Sequence, residues 1–183
     1  MRVVEVVEYD PSWPAQFEAE RTLLHQTLGE AATAIHHIGS TSVPGLAAKP
    51  VIDILIEVAD LKALDALNDR MIRSGYTPRG EWGIPGRRYF QKGGDRRTHH
   101  LHAFASGDFG LVRHLAFRDY LRSNPETARE YGDLKKSVAK TCLNDLGRYC
   151  DGKDAYVKRI EAVAIEEIRP NKPVQRTGAG ARR

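Results

Sequence analysis

Hydrophobic and polar residues follow a pattern that predicts one helix, then a group of strands, then a group of helices. Residues 3–9 predict a short strand or an extended arm, and residues 10–30 place apolar side chains near helical spacing. Residues 34–38 and 51–58 predict strands, and the second of these, VIDILIEV, is the clearest strand in the chain. Residues 60–75 predict one amphipathic helix that ends at a glycine.

The remainder divides into a β-rich middle and a helical C-terminal third. Short strand candidates separated by glycine and proline turns lie at 76–79, 88–92 and 98–104. Helical patterns follow at 111–124, 125–147 and 154–169. The turns between the later strands are too short for crossover helices. We therefore predict an α+β fold with a small mixed sheet, flanking helices and a helical C-terminal third.

Composition is that of an ordinary globular protein. The 183 residues are 41% hydrophobic and 28% charged, which is typical of one folded domain. The sequence contains no apolar run of transmembrane length, and its first residues do not resemble a signal peptide. Its two cysteines, Cys142 and Cys150, do not form the pattern of a disulfide framework. We expect a cytoplasmic protein that does not bind membranes.

The net charge of +4 comes largely from one end of the chain. Residues 169–183 contain five basic residues and no acidic residue, so the rest of the chain is close to neutral. We predict a folded domain at 1–168 and a disordered basic tail at 169–183. The tail either keeps the protein soluble or makes weak contacts with polyanions. The overall charge gives no reason to expect a nucleic-acid partner.

A turn of small residues follows the 34–38 strand. Glycine lets a backbone approach a ligand closely, and the N–H and hydroxyl groups of such a turn can bind phosphate. Many small-residue turns only redirect the chain, so both interpretations stay open. The residues concerned are Gly39, Ser40, Thr41 and Ser42.

Asp53 places a carboxylate in the middle of the most apolar strand. Burying a carboxylate is costly unless it is hydrogen-bonded, paired with a cation or bound to a metal. Three interpretations follow. Asp53 accepts hydrogen bonds from nearby N–H groups, forms a buried salt bridge, or serves as a metal ligand or general base.

Histidines provide a second group of candidates. His100 and His102 lie on one face of the 98–104 strand, about 6–7 Å apart. A pair of imidazoles at this spacing either faces solvent or binds one divalent metal. His36 and His37 are adjacent and point to opposite faces, so at most one of them can join such a site.

Basic residues surround the glycine turn at 93–94 and recur in the helical third. They are either solvated or directed at phosphate, and arginine suits phosphate because its planar guanidinium binds two oxygens at once. Arg88 is the candidate near the turn, and Arg118 and Lys135 are the candidates in the helices.

Taken together, these segments resemble the GrpB family. The resemblance extends from about residue 7 to residue 164. It is carried by YDPSWPAQFEAE, IHHIGSTSVPGLAAKPVIDILIEV, GRRYF, HHLHAF, LAFRDYLRSNPETAREYGDLK and DAYVKRIEAVA. The resemblance implies a fold similar to the polymerase-β-like nucleotidyltransferases. In those enzymes a Gly-Ser turn holds the triphosphate, and three acids on neighbouring strands hold two divalent metals.

The sequence matches this family pattern only in part. The turn that begins at Gly39 and the acid Asp53 match in order and spacing, but Leu55 stands where the second acid is expected. The region of the third acid contains His100 and His102. The resemblance therefore implies one metal, Mg, Mn or Zn, held by Asp53 and the two histidines, or a site that no longer transfers nucleotides.

Three functions follow from these expectations. The first is a nucleotidyltransferase that uses a nucleoside triphosphate and an unidentified acceptor. The second is a non-catalytic module that binds nucleotides or other phosphorylated small molecules, with a link to coenzyme A metabolism that the family resemblance implies. The third is a metal-dependent hydrolase that uses Asp53 and the histidine pair.

Overall fold

The structure, a computed structural model, describes residues 3–169. Within that range the strands are β1 (Ala32–Ile38), β2 (Ile52–Val58), β3 (Tyr76–Pro78), β4 (Arg88–Lys92) and β5 (His99–Ala105). The helices are α1 (Trp13–Leu28), α2 (Leu61–Asp65), α3 (Asn68–Arg73), α4 (Phe109–Ser123), α5 (Pro125–Thr141) and α6 (Leu146–Ile168). The predicted α+β class, with its helical C-terminal third, is confirmed.

The five strands form one mixed sheet in the order β1-β2-β5-β4-β3. Strands β2 and β5 are parallel, and the other neighbouring strands are antiparallel. The β2–β5 register sets Asp53 opposite His100 and Leu55 opposite His102. This pairing brings the two predicted groups of candidate residues onto adjacent central strands.

Helices cover both faces of the sheet. Because side chains alternate along a strand, Ile54 and Ile56 pack in the core that α1, α2 and α3 complete. On the other face, Leu55 packs with Phe104 and with Leu111 of α4. Asp53 is two residues from Leu55 and therefore lies on this second face, toward the helical C-terminal third.

The predicted strands agree with the structure to within two residues, but the predicted helix at 60–75 is wrong. It is two short helices, α2 and α3. At Leu67 the backbone ψ is 6°, far from the helical value of about −42°, and this interrupts the helix. The apolar spacing was still informative, because Leu64 and Met71 are both fully buried.

The predicted boundaries of the last two helices were also wrong. The second ends at Thr141, and the third begins at Leu146. Leu143 and Asn144 adopt positive φ angles of 53° and 60°, which terminate α5. The side chain of Asp145 then caps α6 by accepting a hydrogen bond from the backbone N–H of Arg148.

At residues 3–9 the sequence predicts either a short strand or an extended arm. Residues near the start form an extended arm, joined to the fold by two 2.9 Å backbone hydrogen bonds between Val7 and Ala48. The predicted basic tail at 169–183 lies outside the described residues, apart from Arg169.

Among residues 3–169, every helix is too short or too polar to span a lipid bilayer. Cys142 and Cys150 are both free thiols.

Candidate functional site

The Gly39 turn lies directly against Asp53. Gly39 has φ 68° and ψ −172°, a backbone conformation that is essentially restricted to glycine. A Cβ atom on Gly39 would lie 2.4 Å from Oδ2 of Asp53. The glycine therefore allows both the sharp turn after β1 and the close approach of the backbone to the carboxylate.

The hydroxyl groups of the turn have different environments. Thr41 and Ser42 are buried, and they bind His37 Nε2 at 3.0 Å and the Gly39 carbonyl oxygen at 2.6 Å, respectively. Ser40 is only partly buried, and its Oγ accepts a hydrogen bond from Lys135 Nζ at 2.6 Å. Thr41 and Ser42 thus stabilise the turn from within, while Ser40 is the hydroxyl that a ligand can reach, with the buried Lys135 behind it.

Lys135 is an almost fully buried cation, with 2% of its surface exposed. Its Nζ donates to Ser40 Oγ and to the carbonyl oxygen of Ala47, and it lies 4.4 Å from the centre of the Tyr131 ring. Burial, and then the charge of Lys153, lower the pKa of Lys135 to about 7. A buried amine with a weakly held proton provides strong but adjustable attraction for an anion.

Asp53 and His100 form a direct pair across β2 and β5. His100 Nδ1 lies 3.0 Å from Asp53 Oδ1, and the Asp53 side chain is 29% exposed. Burial raises the pKa of Asp53, but the hydrogen bond from His100 and the nearby His102 and Lys49 outweigh this effect, so its pKa lies below the ordinary value. The ionised carboxylate can only accept, so His100 Nδ1 donates the hydrogen bond, which fixes the orientation of the imidazole.

His102 faces a different set of partners. Arg87 Nη1 lies 3.3 Å from His102 Nδ1, and because a guanidinium can only donate, this nitrogen is the acceptor. The ring also lies 5.3 Å from that of His114 and 5.1 Å from that of Tyr89. Burial, and then His114, lower the pKa of His102 to about 3. His102 is therefore neutral at pH 7 and packed within the protein.

The donor set does not fit the metal arrangement of the family pattern. Within residues 3–169, no group of three or more His, Cys, Asp or Glu side chains is placed to hold a metal ion. Leu55, at the position of the second acid, is fully buried in an apolar cluster. Asp53 Oδ1 is occupied by His100, and His102 is bound by Arg87. The Mg, Mn or Zn site of Asp53, His100 and His102 stays a prediction, and no chemical step below depends on it.

Arg88 does not lie at the site. It alternates with Tyr89 along β4 and so faces the opposite side of the sheet, where it forms hydrogen bonds of 2.7 and 2.8 Å with the carboxylate of Asp65 in α2. Its neighbour Arg87 is the residue that reaches the face of Asp53. The predicted basic cluster is thus divided between the two faces of the sheet.

Arg118 lies near the turn but is already engaged. Its Nη1 donates to the His37 carbonyl oxygen at 3.2 Å, and its Nε and Nη2 bind Asp119. Arg118 supports the strand that enters the turn and lines a separate pocket, described below. His37 stacks on Phe17 on the other face of the sheet, so it does not join Asp53.

Sequence reasoning missed Tyr89 and His114 as members of this region. The Nδ1 atom of His114 lies 2.6 Å from the Gly110 carbonyl oxygen, and its ring contacts that of His102. The parity of β4 could have identified Tyr89, which is directly opposite His102. No sequence signal indicated that α4 would place His114 there.

Solved structures of other proteins share this fold. A structure of the Cid1 poly(U) polymerase with bound MgGTP matches with a TM-score of 0.50 and 13% identity, over 74% of this chain and 44% of that one. At this identity the similarity concerns the fold alone. The predicted nucleotidyltransferase-like fold is thereby confirmed.

Closer relatives identify the family. The UPF0157 protein YqkA of Bacillus subtilis is 48% identical over 87% of this chain and 47% of its own length, so this chain spans about half of that relative. The crystal structure of the conserved protein GrpB from Enterococcus faecalis has a TM-score of 0.86 and 46% identity, covering 89% of this chain and 98% of that one. The family model described as GrpB protein matches residues 3–162. The chain therefore belongs to the GrpB family.

Proposed function

We propose that this protein binds a nucleoside triphosphate at the Gly39 turn, beside Lys135 of α5, and that it transfers a nucleotidyl group to a small acceptor. The contact between Lys135 Nζ and Ser40 Oγ carries the proposal. It places a buried cation directly behind the one turn hydroxyl that is accessible. A polyphosphate can replace Ser40 as the partner of Lys135 and bind the turn N–H groups.

Asp53 and His100 supply the second element of the proposal. Asp53 holds the Nδ1 proton of His100, which orients the imidazole and leaves Nε2 as a proton acceptor. A general base in this position accepts the proton of an attacking hydroxyl while Lys135 and the turn stabilise charge on the phosphates. The residues thus offer positioning and charge stabilisation, which are the main contributions a protein makes to phosphoryl chemistry.

A second function is binding without transfer. Leu55 favours it, because the position of the second acid lies within the apolar cluster of Ile38, Phe104 and Leu111. A carboxylate there would be buried without a cation. A binding module would keep the turn and Lys135 and lack turnover.

Titration calorimetry with ATP, GTP, CTP and UTP, with and without Mg²⁺, Mn²⁺ and Zn²⁺, tests the proposal. Saturable binding together with pyrophosphate release during an acceptor screen supports transfer. Binding without pyrophosphate release under any of these conditions supports the binding module. Failure of all four triphosphates to bind at millimolar concentration would reject both functions.

Ser40→Ala is expected to weaken triphosphate affinity about tenfold, because the turn loses a hydroxyl partner for phosphate and for Lys135. The free energy of unfolding should fall by about 1–3 kcal/mol, because the buried Lys135 loses the hydrogen bond to Ser40 and keeps the one to Ala47. Calorimetry and urea unfolding measure the two effects. Ser137→Ala, at an exposed position in α5, is the matched control and should leave affinity unchanged. Equal affinities for the two variants would remove Ser40 from the site.

A further inference from the structure

A pocket of about 840 Å³ opens at the free edge of β1. Its walls come from α1, from β1, from the segment that follows the Gly39 turn, and from α4 and α5. The residues proposed to bind triphosphate do not line it; these are Gly39, Ser40, Asp53, His100 and Lys135. Its volume is within the range of small-molecule sites in proteins. It is thus a cavity for which the proposed function has no use.

Part of the pocket wall is apolar. The side chains that provide this surface are Phe17, Ile35, Val43, Leu121 and Ala128. They are anchored in the two cores that lie on either side of the sheet edge. A ligand with a hydrocarbon or aromatic body can therefore bury apolar area here, which favours binding.

The polar part of the wall is dominated by arginine. Arg118, Arg122 and Arg129 line the pocket, and Arg118 and Arg122 share a single carboxylate, that of Asp119. Arg129 has no hydrogen-bond or ion-pair partner among residues 3–169. Glu18, the acidic side chain in the lining, is already paired with Arg21 at 2.6 Å. The wall therefore carries an excess of positive charge.

The main chain fixes two of these arginines. Arg118 Nη1 donates to the His37 carbonyl oxygen at 3.2 Å, and Arg122 Nε donates to the Ser42 carbonyl oxygen at 3.0 Å. Each guanidinium retains further N–H groups beyond those bonds. Preorganised arginines lose little side-chain entropy when they bind an anion, which favours a specific site over a diffuse charged surface.

The histidines of the pocket add polar groups without adding charge. Nε2 of His36 is buried and has no hydrogen-bond partner among the described residues. Burial, and then Arg118, lower the pKa of His36, and burial lowers the pKa of His37 to about 4. Both rings are neutral at pH 7. His36 thus offers an unused polar atom beside the arginines.

We propose that this pocket binds a small organic anion, a carboxylate or phosphate carried on an apolar or aromatic body. The arginines bind the anionic head, and the apolar wall binds the body. This site uses other side chains than the proposed triphosphate site and does not rest on the proposed function. The two sites lie on the same turn segment, because Arg118 and Arg122 bind carbonyl oxygens on either side of Gly39.

Fluorescence titration with anilinonaphthalene sulfonate, an aromatic anion, tests the site on the full chain. The double variant Arg122→Gln/Arg129→Gln is expected to bind the probe at least about tenfold more weakly than wild type. Arg73→Gln removes the same charge from an exposed position in α3 and should leave the affinity unchanged. Arg129→Gln alone, at an exposed side chain, keeps the test valid if the double variant fails to fold.

Competition identifies the ligand chemistry. Octanoate should displace the probe, whereas octanol and inorganic phosphate at equal concentration should not, because each lacks one half of the ligand. Displacement by octanol as effective as that by octanoate would overturn the proposal. The proposal would also be overturned if the probe bound equally well to wild type, to Arg122→Gln/Arg129→Gln and to Arg129→Gln. The absence of saturable probe binding to wild type would overturn it too.

Discussion

Replacing Lys135 with methionine is expected to abolish triphosphate binding and to remove a strong pH dependence of stability. In the wild type, the pKa of Lys135 falls from 10.5 in the unfolded chain to about 7 in the folded protein. At a pH between these two pKa values, Lys135 is protonated in the unfolded chain and neutral in the folded protein. The free energy of unfolding therefore rises with pH in this window, by about 1 kcal/mol per pH unit.

Urea unfolding of both proteins at pH 7, 8 and 9 measures the difference between their slopes. Groups other than Lys135 titrate equally in the two proteins, so the difference isolates this lysine. Lys136→Met is the matched control, because Lys136 is the next residue and pairs with Glu8 at the surface. It should preserve both the slope and the triphosphate affinity. Parallel slopes for wild type and Lys135→Met would show that the amine keeps its ordinary pKa.

Triphosphate binding should also take up a proton above pH 7, because the anion favours the charged form of Lys135. Calorimetry at pH 8 in two buffers with different ionisation enthalpies detects this uptake. Wild type should give different apparent enthalpies in the two buffers. An apparent binding enthalpy that is the same in the two buffers would exclude Lys135 as the group that contacts phosphate.

Gly39→Ala is expected to reduce the free energy of unfolding by about 3 kcal/mol or more, and to disrupt the Asp53–His100 pair. Two costs add at this position. The backbone conformation is one that alanine rarely adopts, and the new methyl group would lie 2.4 Å from Oδ2 and 2.9 Å from Cβ of Asp53. The carboxylate must move away from β5, and its hydrogen bond to His100 is lost.

Gly45→Ala separates the cost of backbone strain from the cost of the clash. Gly45 also has a positive φ, 77°, but a Cβ atom there would meet nothing within 4 Å. Its expected cost is about 1 kcal/mol, from backbone strain. Urea unfolding compares the two variants, and the imidazole NMR signals of His100 report on the pair. Equal destabilisation by the two substitutions would mean that Asp53 adapts without cost.

Much of the fold follows from local patterns in the sequence. The apolar run VIDILIEV predicts a strand, and β2 (Ile52–Val58) is that strand. The partnership of Lys135 with Ser40 joins residues 95 positions apart, and no local period encodes it. Its basic side chain in the helical third made Lys135 a candidate, and the packing of α5 against the turn supplied the contact.

Other parts of the site could not be predicted, because they depend on which neighbouring residue each side chain binds. Arg87 and Arg88 are adjacent and chemically identical, yet Arg88 binds Asp65 whereas Arg87 donates a hydrogen bond to His102. Composition cannot distinguish them. Only the register of β4 against β5, which sets Arg88 opposite Ala103, determines which arginine faces Asp53.

The parallel pairing of β2 with β5 also has a consequence for the order of folding. Asp53 and His100 are separated by 47 residues, whereas β1 and β2 form a much more local antiparallel pair. Closing the longer loop costs more chain entropy before any contact compensates for it. During synthesis, the Gly39 turn and Asp53 leave the ribosome several seconds before β5, at about 5–20 residues per second. In each newly synthesised chain, Asp53 therefore has no His100 to pair with until β5 has left the ribosome. The candidate site is among the last parts of the molecule to assemble.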